Sequence, residues 1–390
     1  MKLLITSIDA IIDNETGTYF EGVKDVLDYF ESLDNDNKVA IISIDKARLD
    51  SIPNDFHKYI IVDYYLRQSD KLISILANRL KINFNDIFIL GAKDSDMILA
   101  ANSKLILLTA DFAKKNNPEE RIYTEGYGIA IFNADRLKFF FEHFLSLSEP
   151  WFYSLEIDEQ TKLYGLTDAM TNKQEDGDVK KICLKLREFL KAGDDKYKNP
   201  FLIYSLMSVY QIFKEVKGIN YWGYYPSSTT AENLELKTFK EVLRKSFKSS
   251  TSQEDLLIRT SNSPQRKTMS EADRINNGCD SQFDSIILNP WFKGKLKGKN
   301  VCIIDDFTNH GSSCETVRHL LKKAGVNKII FISIGKFRYD YKMFDYELKG
   351  DIYKQGGYTY TRKGDYTLKK GVVNNESSIE LLTSLKDLIS

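Results

Sequence analysis

One stretch constrains this chain more than any other: VCIIDDFTNHGSS, Val301 to Ser313, followed by CETVRHLLKKAG. Val301, Cys302, Ile303 and Ile304 form a short unbroken apolar run, the pattern of a strand buried on both faces of a parallel sheet. The run ends on Asp305 and Asp306. That position is the carboxyl edge of the sheet, where open α/β folds bind ligands, and paired carboxylates there can accept both hydrogen bonds of a ribose diol. In Asn309-His310-Gly311-Ser312-Ser313 the glycine permits close backbone approach, the hydroxyls donate, and the next helix offers its positive end to an anion. Val317, Leu320, Leu321 and Ala324 recur at helical spacing, Gly325 supplies a C-cap, and Asn327 to Ile334 returns as an apolar strand. The order strand, diacid, small polar loop, helix, strand predicts an α/β sheet with an anion-binding edge.

This segment resembles the PRPP motif of the type I phosphoribosyltransferases: a hydrophobic strand, two acids, two variable residues and a loop rich in Thr, Gly and Ser. The resemblance implies that Asp305 and Asp306 hold the ribose hydroxyls at the catalytic centre. It implies that Asn309, His310, Gly311, Ser312 and Ser313 bind the 5′-phosphate. Asn309 and His310 stand where two threonines are common. Members that salvage 6-oxopurines carry a base-contacting aspartate at the position of Asn309, so that substrate is disfavoured.

Upstream, INYWGYYPSS, Ile219 to Ser228, looks like the strand and loop of the pyrophosphate-binding peptide, with Pro226, Ser227 and Ser228 at the turn. Leu256 to Asn277 is similar to the ComF branch, with Arg259, Gln265, Arg274 and Asn277 at the corresponding positions. Arg259 is expected to neutralise the leaving pyrophosphate, whereas Arg266 and Lys267 read as a solvated basic loop. The Arg-Gly signature of ComF relatives is absent, because Ser228 is followed by TTAENLELK.

The N-terminal third alternates apolar runs (Leu3 to Ile8, VAIIS ending at Ser43, IFILG from Ile87) with helical patterns such as FEGVKDVLDYFESL, again predicting a parallel sheet. Its spacing resembles a haloacid-dehalogenase (HAD) phosphatase, with Ser7 and Asp9 at the first motif, Ser43 at the second, Lys71 at the third and Asp96 closing the fourth. HAD chemistry requires an aspartate nucleophile that also binds Mg²⁺, and here that position is Ser7, while Ala92 replaces the first acid of the fourth motif. Losing two carboxylates weakens an oxygen-rich Mg²⁺ site, so this domain is expected to be inactive as a phosphatase and to bind a ligand, hold a partner or regulate its neighbour. A register with Asp9 as nucleophile would put Ile11 at the second acid.

The 390 residues are enough for two cores, and the expected division is 1–148, HAD-like and Rossmannoid, and 149–390, a type I phosphoribosyltransferase fold with a hood and a C-terminal extension. Trp151 to Leu166 alternates like a strand and is assigned to the hood, and DIYKQGGYTYTRKGDYTL reads as a hairpin around Gly356-Gly357. Leu236 to Lys248 reads as an amphipathic helix with a solvated basic face. No apolar stretch approaches the roughly twenty residues of a membrane span, and no basic leader with a cleavage site opens the chain, so a cytoplasmic protein is expected. The four cysteines lack paired spacing, and the net charge of zero gives no electrostatic case for general nucleic-acid binding.

The resemblance implies transfer or cleavage at ribose C1, on PRPP or a nucleotide, with Mg²⁺ carried by the pyrophosphate. Two alternatives stay open: a non-catalytic PRPP or nucleotide sensor, and the effector of a bacterial stress or phage-defence system such as a retron. A regulatory protein, a ribonucleoprotein or a second copy of the chain are the partners compatible with these readings.

Overall fold

The computed structural model describes residues 1–33, 37–50, 52, 59–61, 64–145, 151–170, 177–192, 198–247, 254–263, 278–376 and 385–386. The chain divides into two compact α/β units, Met1–Leu147 with Lys245–Lys248, and Ser148–Arg244 with Ser249–Ser390. Ser148 and Glu149, where the sequence places the boundary, lie outside the described residues.

In the first unit the apolar runs become β1 (Leu3–Ser7), β2 (Lys38–Ser43), β3 (Tyr59–Ile61), β4 (Ile87–Gly91), β5 (Ile106–Ala110) and β6 (Ile129–Ile131). They form one parallel sheet in the order β3-β2-β1-β4-β5-β6. Chain order reverses at β1, which makes its carboxyl end a topological switch point, the place where such sheets open a crevice. Helices α1 (Val23–Leu33), α2 (Asp70–Leu80), α3 (Asp94–Ser103) and α4 (Ala134–Phe144) cover it. Val23, Val26, Leu27 and Phe30 bury one face of α1, and Phe30 packs on Phe141 of α4 with ring centroids 4.7 Å apart. Each such buried ring contributes roughly 1.5–3 kcal/mol, more than helix propensity supplies in a short segment.

The second unit is built on β7 (Tyr153–Asp158), β8 (Thr161–Asp168), β9 (Tyr221–Tyr224), β12 (Asn300–Thr308) and β13 (Lys328–Lys336); the short strands β10 (Leu257–Arg259) and β11 (Ile286–Leu288) pair apart from this sheet. The sheet order is β18-β7-β8-β13-β12-β9, where β18 is Val372–Val373, with β8, β13, β12 and β9 parallel and β7 antiparallel at the side. Its main helices are α5 (Gly177–Ala192), α6 (Lys198–Gln211), α7 (Leu234–Ser246) and α8 (Ser312–Lys323). Val301, Ile303, Val317, Leu320 and Phe331 meet in one core with the tail residues Tyr341, Phe344, Tyr346 and Leu348.

Three expectations are corrected. The strand does not stop at Ile304: β12 pairs with β13 as far as Thr308↔Lys336, because Gly335 leaves room for the Phe307 ring, which would lie 2.6 Å from a Cβ there. Tyr153–Asp168 does not begin a hood, since β8 pairs along β13 and joins the main sheet. The basic face of α7 is not wholly solvated: Lys240 and Arg244 are buried, with Lys240 3.6 Å from Asp255 and both against Glu241. The tail hairpin pairs β15 (Tyr346–Gly350) with β16 (Tyr358–Arg362) around Gly356-Gly357, while β17 (Thr367–Lys369) pairs back to β14 (Tyr341–Met343). Among the described residues no helix is long and apolar enough to cross a membrane.

Candidate functional site

At the carboxyl edge of the second sheet a cleft of about 170 Å³ is lined by Asp305, by Phe307 through Ser313, and by Lys342 and Phe344 from the tail. Asp305 is buried, and its carboxylate accepts from the Asp306 amide at 2.9 Å. Burial pushes its pKa well above the usual carboxylate range, and the charge and hydrogen bond of the neighbouring Asp306 push the same way. Carboxyl groups at such an edge are suited to receive the hydroxyl groups of a sugar. Asp306 is half-buried and accepts from the Phe307 amide at 2.6 Å. The structure therefore brings Asp305 into the cleft, with Asp306 beside it.

The loop that follows turns at Gly311, whose φ of +91° lies in the left-handed region and whose absent Cβ would fall 2.1 Å from the Tyr341 ring. Only glycine fits both demands. The turn starts α8 directly, so Ser312 and Ser313 present the first helical amides on the cleft wall. Asn309 Oδ1 is buried without a hydrogen-bond partner among the described residues, an acceptor whose desolvation is uncompensated. His310 is placed by the tail, its Nδ1 3.3 Å from the Asp340 carbonyl and its ring centroid 4.9 Å from that of Tyr339.

Residues that the sequence did not single out hold this loop. Glu315 is fully buried and accepts from Arg318 Nε at 2.8 Å, Arg318 Nη2 at 2.6 Å, Tyr341 Oη at 2.7 Å and the Phe344 amide at 2.8 Å. Tyr341 thereby joins the Gly311 turn to a buried ion pair. Lys336, also fully buried, donates to backbone carbonyls around the loop, and the Lys342 amide donates to the His310 carbonyl at 2.9 Å. The one available signal was local: Lys336 is a single charge closing an apolar strand, and Glu315 and Arg318 stand three apart on one helix.

Pro226, Ser227 and Ser228 follow β9, which pairs in parallel with β12 up to Tyr224↔Ile304, so they leave the sheet at the same edge as the diacid. They are not among the residues lining the cleft. Arg259 is corrected from ligand contact to brace. It is buried, its Nε donates to the Ser227 carbonyl at 2.9 Å, and its remaining nitrogens reach Gln282 Oε1 at 3.1 Å and Ser285 Oγ at 2.6 Å. Gln265, Arg266, Lys267, Arg274 and Asn277 lie outside the described residues. Cys314, beside the loop, is buried and its thiol is pushed well up by that burial, which makes it a packing residue.

In the first unit the switch point gathers Ser7, Asp9 and Asp96. Ser7 Oγ donates to Asp96 Oδ2 at 2.7 Å, and the amides of Ala92 and Lys93 donate to the same oxygen at 3.0 and 3.2 Å. Burial pushes the Asp96 pKa up against the pull of Arg67, 3.5 Å away. Asp9 is buried too, yet Lys93 at 2.8 Å and Arg48 at 3.1 Å outweigh that burial and hold it at about 2. Ser43 ends β2 at the same edge, its Oγ accepting from the Asp45 amide at 3.0 Å. Lys71 is corrected: it is exposed in the first turn of α2, and the cations beside the two acids are Arg67, Lys93 and Arg48. Among the described residues no group of three acidic, histidine or cysteine side chains is placed to hold a metal ion.

No protein-family model matches this chain, and no curated protein is a significant match to it.

Proposed function

We propose that the second unit is a type I phosphoribosyltransferase-like domain that binds PRPP or a nucleotide 5′-phosphate and transfers or cleaves at ribose C1. One observation carries this reading: a single cleft at the sheet's carboxyl edge has an acid from Asp305 on one wall and a left-handed glycine turn opening a helix on the other. A sugar diol requires acceptors and a phosphate requires backbone donors, and this cleft supplies both a few residues apart. In the reaction so proposed a nitrogen nucleophile bonds to C1 as the C1–O bond breaks, and diphosphate leaves with the electron pair. Mg²⁺ would arrive on that diphosphate. The protein's share is positioning and charge stabilisation: Asp305 and Asp306 on the ribose hydroxyls, Asn309 to Ser313 on the 5′-phosphate, and the Pro226 to Ser228 turn, braced by Arg259, near the diphosphate.

A second reading, a sensor that binds without turnover, is favoured by the internal commitment of Arg259, which removes a cation expected at the leaving group. For the first unit we propose a HAD-like domain without phosphatase activity. Its strand order and the convergence of Ser7, Asp9 and Asp96 support the likeness, and a hydroxyl in place of the nucleophile argues against turnover.

The deciding experiment is calorimetric titration of PRPP with Mg²⁺ in low-phosphate buffer into the wild type and an Asp305→Asn/Asp306→Asn variant whose far-UV circular dichroism is unchanged. Binding weakened at least tenfold in the variant is the expected result. Absence of binding to the wild type would overturn the PRPP reading. Release of diphosphate with a nitrogen acceptor would then separate the transferase from the sensor.

A further inference from the structure

Lys336 closes β13 directly opposite Thr308, at the base of the loop that walls the cleft. Its side chain is fully buried, and Gly165 on the neighbouring strand makes room for its stem, since a Cβ there would stand 2.5 Å from that of Lys336. Its ammonium group donates to the Asn309 carbonyl at 3.0 Å, to the Tyr339 carbonyl at 2.7 Å and to the Phe337 carbonyl, and lies 4.8 Å from the Tyr153 ring centroid. Three N–H groups thus meet three carbonyl oxygens, one from the loop and two from the tail segment that carries His310's partners.

We propose that Lys336 is the positioning residue of this loop, holding it in its anion-receiving form only while the side chain carries its third proton. A neutral amine has two N–H groups and a lone pair, so one of the three carbonyls loses its donor and faces a lone pair instead. The positive charge at the base of the loop disappears in the same step. Burial lowers the Lys336 pKa to about 8, which puts the change within reach of ordinary buffers. Among the described residues, the groups that face it do not neutralise it by contact. Asp168 on β8 is engaged by Arg338 at 2.7 Å, Asp340 acts from the tail, the Cys314 thiol is pushed well up by burial, and the Tyr153 hydroxyl is pushed up to about 12. The charge is therefore available to an anion in the cleft. By linkage, an anion bound there must draw a proton onto Lys336 near pH 8.

The part of this proposal that concerns phosphosugar rests on the PRPP reading; the part that concerns the loop does not, and two measurements on the full-length chain separate them. Amide hydrogen exchange of the Asn309–Ser313 peptide, without ligand and corrected for the intrinsic pH dependence, is followed from pH 6.5 to 9.5. The wild type is expected to lose about tenfold protection across pH 8, and Lys336→Met to be poorly protected throughout with no step. A wild-type loop with no step overturns the proposal even if the variant fails to fold. Titration of PRPP with Mg²⁺ at pH 7.5 and 9.5 is expected to show affinity lower by about tenfold at the higher pH and proton uptake on binding near pH 8. Equal affinity at both values also overturns it. An exchange step without PRPP binding at any pH supports the lysine clamp and removes PRPP as its ligand.

Discussion

Asp9, Asp96 and Asp305 are three buried carboxylates whose surroundings send them in different directions. Asp9 has two cations in contact and sits at about 2, Asp96 has hydroxyl and amide donors with a more distant guanidinium and is raised, and Asp305 has only another acid beside it and is raised well above its usual range. The rule that separates them is contact with a cation. Because the pKa of Asp9 is depressed on folding, its contribution is fully present above the unfolded value of about 4 and is lost as pH falls through about 2. Asp9→Asn should therefore cost roughly 2 kcal/mol in urea unfolding of the first unit at pH 7, with the difference from wild type shrinking toward pH 2. An equal difference at both values would show that the Lys93 and Arg48 pairs do not act through the Asp9 charge. Glu315 makes the opposite kind of test. Glu315→Gln leaves Arg318, among the described residues, only Asp158 at 3.0 Å as a charged partner, so a loss on the order of 3 kcal/mol is expected in chemical denaturation of the second unit.

Among the elements, the segment β12, loop, α8 and β13 was legible because its signals are local: unbroken apolar runs, helical spacing and a glycine on each side of the helix. The end of β12 was not legible, since Phe307 and Thr308 stay in the strand through their pairing with Gly335 and Lys336. The same holds for β7 and β8, whose alternation cannot say which sheet they join. It also holds for α7, where Lys240 looks like a surface residue until Asp255 is brought against it. Gly311 is where the loop's conformation can be tested. Gly311→Ala must accept a positive φ and a contact with Tyr341, so thermal unfolding should show a loss of more than about 2 kcal/mol. In the same variant the affinity for PRPP should fall with the loop. Retention of wild-type stability would mean that the Tyr341 ring moves aside easily.

At the scale of the whole molecule, the tail after β13 is part of the second unit's core. Tyr341, Phe344, Tyr346, Leu348 and Ile352 pack in the same cluster as Val317 and Leu320, and Tyr341 and Phe344 satisfy Glu315. A chain ending at Phe337 should therefore lose the cooperative transition of the second unit, seen as rapid proteolysis of the β12–α8 region. A stable, protease-resistant product would show the tail to be an accessory.

Apolar runs, helical periods and turn residues act over a few neighbours, and from them it follows that two α/β sheets built mainly of parallel strands form and that a strand of one ends in a diacid followed by a glycine turn. What each charged group does was settled by the folded arrangement. Lys336 became the loop's tether, Arg259 a brace, and Arg67, Lys93 and Arg48 the counter-charges of the first unit's acids. Arg48 lies 39 positions from Asp9 and Arg259 lies 32 from Ser227, so no local pattern records these pairings. The role of a buried charge depends on which groups surround it, and that is settled when the strands pair.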